Sequence, residues 1–415
     1  MNNVVSIVKG SSNPGRDEIK DIVRRAIDLI GGIENAVKPE DIVLIKPNGV
    51  GGGIRPGVAT SAPVVEALVE LVKEGGAKEV IIGEAESLTG VKWEKLGYKE
   101  VAERTGAKLL DFDEDEKVEI EVPEGVIFKK IDVSKTLLNA DVIINVPVLK
   151  VNLCANYSGA LKNWMGVFLK RGKVSAHMAR APETGSNMSG LHQAIVDINK
   201  AIKPRLTVID GIVALEGASG GSGDSRQMNL IIAGWNPVAV DTVAITILGS
   251  DPYGSGPIFL ASEQGLGPMN LAKIEVRGER IDEVKTKIRW PPTWPAPRVT
   301  GMKLILGDLN RCPTCVGVFS RALQRIQSTG KLDEIKELTV LLGPGAEPPE
   351  EVQGKLLVIG NCLRTHADRA DAFVGGCPPQ SIIIRDPIQV LCGIIPALGE
   401  YVRTMIELGY EVSIK

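Results

Sequence analysis

The sequence predicts an α/β protein: a mainly parallel sheet with helices on both faces, joined to a second, smaller α/β domain. Three observations predict this. Short apolar runs alternate with amphipathic stretches of helical period, the pattern of strands buried on both sides beneath covering helices. Glycine is abundant at 46 residues while aromatics make up 4%, so the core is aliphatic and many turns are tight. A proline-rich break, Trp290–Pro297, separates a first strand–helix series from a second, as a linker between domains would.

The elements follow in order. Val4–Val8 is a strand, and Asp17–Ile30 is a helix stopped by Gly31-Gly32. Asp41–Ile45 is a buried strand running into Lys46-Pro47-Asn48 and a glycine-rich loop, Gly49–Gly57. Ser61–Glu74 has helical period, with Ser61 as N-cap, Pro63 in the first turn and glycines at its end. Glu79–Ile82, Lys108–Asp111, Asp141–Val146, Leu206–Ile209 and Asn229–Ala233 read as further strands. The acidic stretch Asp111–Glu124 reads as a solvated excursion or an edge hairpin, and Val238–Leu248 as a helix. Beyond the break, Met302–Leu306, Leu338–Leu342, Leu356–Ile359, Ala372–Val374 and Ser381–Ile384 are predicted strands, and Val316–Gln327 and Ile395–Leu408 predicted helices. These patterns set domains at residues 1–289 and 301–415, with 290–300 as the linker. A chain of 415 residues exceeds one ordinary core.

The net charge of −3 carries no basic excess, which argues against a nucleic-acid partner. No apolar run reaches the length of a membrane span, and no signal-peptide pattern opens the chain, so a cytoplasmic location is expected. The sequence sets no oligomeric state. In a cytoplasmic chain, six cysteines point to metal or catalysis before disulfides.

Cys312 and Cys315 form a C-x2-C pair, Cys362 follows after 46 residues and Cys377 after 14 more. Each of Cys312, Cys362 and Cys377 lies just past a predicted strand. If those strands are parallel, their carboxyl ends share one rim, where ligands bind in open α/β folds. Glycine and proline flank the sulfurs, as in Gly376-Cys377-Pro378. Thiolates of this kind suit a [4Fe–4S] cluster, with zinc or a redox dithiol as alternatives. Cys154 and Cys392 read as buried, inert thiols. His366 is either a neighbour of the metal or a loop histidine paired with Asp368.

In the first domain, polar residues gather at strand ends. Lys46 and Asn48 follow one strand, Glu84 another, Lys150 a third and Asp210 a fourth, with Lys162-Asn163 in a nearby turn. Lysines for an anionic group, amides for orientation and acids for proton transfer compose a pocket for a small phosphate- or carboxylate-bearing molecule. Lys46, Asn48, Glu84, Lys150 and Asn163 are the expected binding residues. His177, Asp210 and Lys162 are the expected catalytic ones, with His177 placed in a loop and His192 on a helix face. There is no phosphate-binding glycine motif of the Walker or dinucleotide type. Gly217–Gly221 matches G-x-S-x-G but lacks the helix a nucleophilic Ser219 would need.

Ile45-Lys46-Pro47-Asn48, Ile82-Gly83-Glu84, Pro147-Val148-Leu149-Lys150, Gly159-Ala160-Leu161-Lys162-Asn163, Thr207-Val208-Ile209-Asp210-Gly211 and Asn236-Pro237-Val238-Ala239-Val240-Asp241 come in an order that resembles the domain-of-unknown-function-362 (DUF362) family. The resemblance covers roughly residues 4–267. It implies an iron–sulfur association, because many members carry an appended ferredoxin-type segment. This chain lacks that segment's C-x2-C-x2-C-x3-C-P run, so the cluster would rest on the separate cysteine set. The resulting expectation is an iron–sulfur-dependent oxidoreductase served by an electron-transfer protein, or a cluster-dependent lyase if one iron stays open. The alternatives are a zinc-dependent or metal-free transferase or lyase, and a non-catalytic cluster carrier.

Overall fold

The computed structural model describes residues 3–49, 55–85, 90–180, 189–218, 223–291, 297–309, 312 and 314–415. Ser219, most of the Gly49–Gly57 loop and residues 292–296 of the proline-rich break lie outside the described residues. The chain forms two compact units. The first comprises Met1–Asn152, Asn156–Lys170 and Ile195–Pro291, and the second Leu153–Ala155, Arg171–Ala194 and Pro292–Lys415.

The first unit contains strands β1 (Val4–Lys9), β2 (Ile42–Pro47), β3 (Glu79–Glu84), β4 (Lys108–Asp111), β5 (Lys117–Glu121), β6 (Lys130–Ser134), β7 (Val142–Val146), β8 (Val148–Asn152), β9 (Asn156–Ser158), β10 (Leu206–Glu216), β11 (Asp224–Gly234) and β12 (Glu275–Gly278). Its large sheet runs β12-β1-β11-β10-β7-β2-β3-β4, with the β8–β9 hairpin attached through β8 to β10. The run from β10 through β7, β2 and β3 to β4 is parallel. Strand β11 is antiparallel to both of its neighbours. On β2, Val43, Leu44 and Ile45 are each 0% exposed. Successive strand side chains point to opposite faces, so both faces of the sheet are covered. The helices Arg16–Leu29 and Ala62–Glu74 supply Ile22, Val23, Val65 and Leu68 to one aliphatic core cluster. The acidic excursion folds as a separate antiparallel hairpin of β5 and β6.

The second unit holds a five-stranded sheet of β13 (Met302–Leu306), β14 (Leu338–Leu342), β15 (Lys355–Ile359), β16 (Ala372–Val374) and β17 (Val412–Ile414), in that order. The first four strands are parallel and β17 runs antiparallel at the edge. Leu341, Leu356, Val358 and Phe373 form its apolar core with Leu363.

Two expectations fail here. Ser381–Ile384 is helical, the start of Ser381–Leu391, and not a strand. A run of three isoleucines suggests a strand, but Ile384 and Ile388 are both buried one helical turn apart. The last helix is Glu400–Glu407, shorter than the Ile395–Leu408 expected, and Gly399 is its N-cap. Among the described residues, no helix is long and apolar enough to cross a membrane.

Candidate functional site

In the first unit, the expected binding residues do come together. Lys46 is the last residue but one of β2 and its side chain is fully buried, and Glu84 closes the neighbouring β3 at 2% exposure. The Lys46 ammonium donates to Glu84 Oε1 at 3.0 Å, to Glu84 Oε2 at 2.9 Å and to the Pro47 carbonyl at 2.8 Å. Three N–H groups thus meet three acceptors. The carboxylate also accepts from the Gly49 and Ala85 backbone N–H groups at 2.8 and 2.9 Å. Burial pulls the Lys46 ammonium below the ordinary lysine range, and Glu84 opposes that pull. A methyl group at Gly166 would collide with both Glu84 Oε1 and Lys46 Nζ, so only glycine lets this backbone approach the pair.

Lys150, 6% exposed, is held differently. Its ammonium donates to Asn48 Oδ1 and to the Val58 carbonyl, both at 2.7 Å. Asn48 in turn donates to Asn163 Oδ1 at 2.9 Å, Asn163 to Asn145 Oδ1 at 2.8 Å, and Asn145 to the Ala160 carbonyl at 2.9 Å. Burial and then the positive charge of Lys162 bring Lys150 down to about 7, against the opposing pull of Glu84. A lysine in this state titrates near neutrality, the condition for an amine that takes or gives a proton.

Asp210 accepts from the Ser61 N–H at 2.7 Å and the Ile212 N–H at 3.0 Å. Burial raises its pKa above the ordinary carboxylate value, and these hydrogen bonds oppose the rise. Through Ser61 it also anchors the start of the helix Ala62–Glu74. Asn145 joins the amide chain although sequence reasoning passed over it. The available signal was one amide inside the apolar strand Ile143-Ile144-Asn145-Val146.

In the second unit, the parallel strands put Cys312 past the end of β13, Cys362 past β15 and Cys377 past β16, on one rim. Cys315 enters from the first turn of the helix Thr314–Gln327 at 8% exposure. Gly360 has φ +99°, and a methyl group there would lie 3.5 Å from Cys315 Sγ and 3.6 Å from Cys362 Sγ, so both sulfurs flank one point. The Gly376 N–H donates to Asn361 Oδ1 at 2.8 Å, and the Asn361 N–H to the Gly376 carbonyl at 3.0 Å. These bonds tie the Cys362 and Cys377 turns together. Cys377 Sγ accepts from the Gly190 N–H at 3.4 Å, and the Cys377 N–H donates to the His177 carbonyl at 2.8 Å.

The thiols feel one another. Burial raises Cys315 well above the ordinary thiol range, and negative charge on Cys312, Cys362, Cys377 and Cys154 raises it further. Burial, then Cys377 and Cys312, push Cys362 up to about 12. Mutual repulsion of this kind is relieved when a cation is shared among thiolates. Among the described residues, no three His, Cys, Asp or Glu side chains are closed into a metal-ligating group. The chemistry of the donors nonetheless suits an iron–sulfur cluster or zinc: soft sulfur ligands, and a backbone N–H directed at one sulfur.

The other expected residues distribute as follows. His177 lies in the second unit on the helix Lys170–Met178, not in a loop, with its ring 6.4 Å from that of Tyr410. Lys162 and Asp210 lie in the first unit. His192 is on the helix Gly190–Ala201, as its sequence context indicates. His366 faces Glu347 at 3.5 Å and not Asp368. Cys392 Sγ donates to the Lys336 carbonyl at 3.9 Å. Cys154, expected to be an inert buried thiol, is partly exposed and belongs to the cysteine-bearing unit.

Comparison with known proteins gives three findings. The profile of the family described as Domain of unknown function (DUF362) matches residues 43–246. The Thylakoid-associated protein sll1697 of Synechocystis sp. is 32% identical over 251 residues, 59% of this chain and 75% of that protein. The lactate racemase apoprotein from Thermoanaerobacterium thermosaccharolyticum superposes with a TM-score of 0.39 at 11% identity, over 82% of this chain and 69% of that one. A similarity of that size carries no functional argument.

Proposed function

The chain belongs to the DUF362 family, and within that family we propose that it binds an iron–sulfur cluster and acts as a redox enzyme on an anionic small molecule. The observation that carries this reading is the placement of sequence-distant thiols on the carboxyl-end rim of one parallel sheet, with Cys315 and Cys362 both beside Gly360. Cys312, Cys315, Cys362 and Cys377 would hold the cluster, which supplies one-electron transfer when bound. Burial of Cys315 keeps water from its sulfur, and the Gly190 N–H stabilises negative charge on Cys377. None of the six cysteines is in a disulfide, which fits a reducing, cytoplasmic compartment. An electron-transfer protein would serve as partner.

In the first unit, Lys150 and Lys162 hold the anionic group of the substrate. The Lys46–Glu84 pair is internally neutralised and acts as the rigid support beneath them. Near neutrality Lys150 is divided between its two protonation states, so it can both bind an anion and move a proton. Asn48 and Asn163 orient it. Asp210 and His177 handle protons in their own units. One observation favours a second reading, a carrier that passes its cluster on: Cys362 is an exposed residue, although its thiol is partly desolvated.

The ligand assignment is tested by replacing Cys312, Cys315 and Cys377 together with Ser. After anaerobic reconstitution the triple variant should retain neither iron nor sulfide while keeping the far-ultraviolet circular dichroism of the parent. A folded triple variant with the parent's iron and sulfide content would remove these cysteines from the site.

A further inference from the structure

Strands β8 and β9 pair through Lys150 with Ser158 and Asn152 with Asn156, which leaves Leu153–Ala155 as a three-residue hairpin tip. That tip groups with the cysteine-bearing unit although the strands on either side of it do not. Cys154 is its central residue. The Cys154 carbonyl lies 3.1 Å from His192 Nε2. A carbonyl only accepts, so Nε2 carries the proton, and Nδ1 is left to accept the Ser189 N–H at 3.4 Å. The adjacent residues grip Cys377: Gly190 N–H donates to its sulfur at 3.4 Å and Leu191 N–H to its carbonyl at 3.2 Å. One short segment, Ser189–His192, therefore fixes Cys154 and Cys377 together.

We propose that Cys154 is a fifth, ligand-competent thiol of the cysteine site, placed by the hairpin tip to stand in for Cys315; this rests on the cluster-binding reading above. A four-iron cluster offers four thiolate places, and the site holds five thiols. The exchange balances without oxidation or reduction. Cys154 gives up its thiol proton as its sulfur bonds to iron, and Cys315 takes one as its bond breaks. His192 is a positioning residue, since it holds the Cys154 backbone through its carbonyl. The site thus draws a ligand from within the segment that the family profile spans.

The test reconstitutes the full chain anaerobically with ferrous iron and sulfide, as wild type, Cys315→Ala and Cys154→Ser/Cys315→Ala. Iron, sulfide and visible absorption are measured on each, with circular dichroism as the check on folding. Cys315→Ala is expected to keep most of the wild-type iron and sulfide, and the double variant to lose it. Equal loss in both variants, or retention in both, would overturn the proposal. Wild-type protein that takes up neither element would remove the cluster reading and this inference together. Wild type that loads while Cys315→Ala does not would remove this inference alone. Iodoacetamide mapping gives an answer independent of the double variant's folding. In loaded Cys315→Ala, Cys154 should be protected while Cys392 is modified, and equal labelling of the two would contradict the assignment.

Discussion

Lys46→Met lowers the free energy of unfolding by about 3–5 kcal/mol, the usual cost of removing one partner from a buried ion pair. The size follows from what remains. Glu84 keeps its 2% exposure and its bonds from the Gly49 and Ala85 N–H groups, but it loses both contacts to the ammonium and becomes an uncompensated buried charge. Two charges removed together should cost much less than either alone, because well-packed apolar replacements for an ion pair are often neutral. Lys46→Met/Glu84→Leu is therefore expected to recover most of the loss, and a double-mutant cycle by urea unfolding reads the coupling directly. If the two single losses simply add, the pair is not coupled in the way its geometry requires. The same result bears on function, because it separates Lys46 as a support from Lys150 and Lys162 as the groups proposed to meet an anion.

Lys150 carries the second large effect, and it depends on pH. Its amine falls from the ordinary 10.5 to about 7 on folding. Between those values the unfolded chain binds the proton and the folded chain does not, so stability rises with pH across the window. Below about pH 7 both states are protonated and the folded state bears the full penalty of a buried ammonium. One pKa unit corresponds to about 1.36 kcal/mol, so the rise across the whole shift is about 5 kcal/mol. Lys150→Met should flatten the stability profile between about pH 7 and pH 10 relative to wild type. Equal slopes in the two proteins would show that Lys150 is not the group that titrates. The same protonation equilibrium predicts that anion affinity falls as pH rises through neutrality.

Much of this was legible in the sequence, and the remainder has physical causes. The four C-terminal cysteines could be placed because strand ends mark a shared rim whenever strands are parallel, and β13 to β16 are parallel. Cys154 could not be placed that way. Its membership depends on a hairpin tip that leaves the unit of its own strands, and no local pattern in Leu153-Cys154-Ala155 records a tertiary excursion. Lys46 reads in the sequence as a binding residue for an anionic group because its carboxylate partner lies 38 residues away. The pairing was implicit all the same, since Lys46 and Glu84 lie at the carboxyl ends of neighbouring parallel strands. Ser381–Ile384 misled for a different reason. Three adjacent β-branched residues favour a strand locally, and burial along a helical stripe overrode them.

Anaerobic purification of the full chain, followed by iron, acid-labile sulfide and zinc analysis, decides whether the proposed thiols hold an iron–sulfur cluster. A brown protein with about four irons and a matching amount of sulfide per chain is expected. A colourless protein carrying one zinc and no sulfide would overturn the assignment.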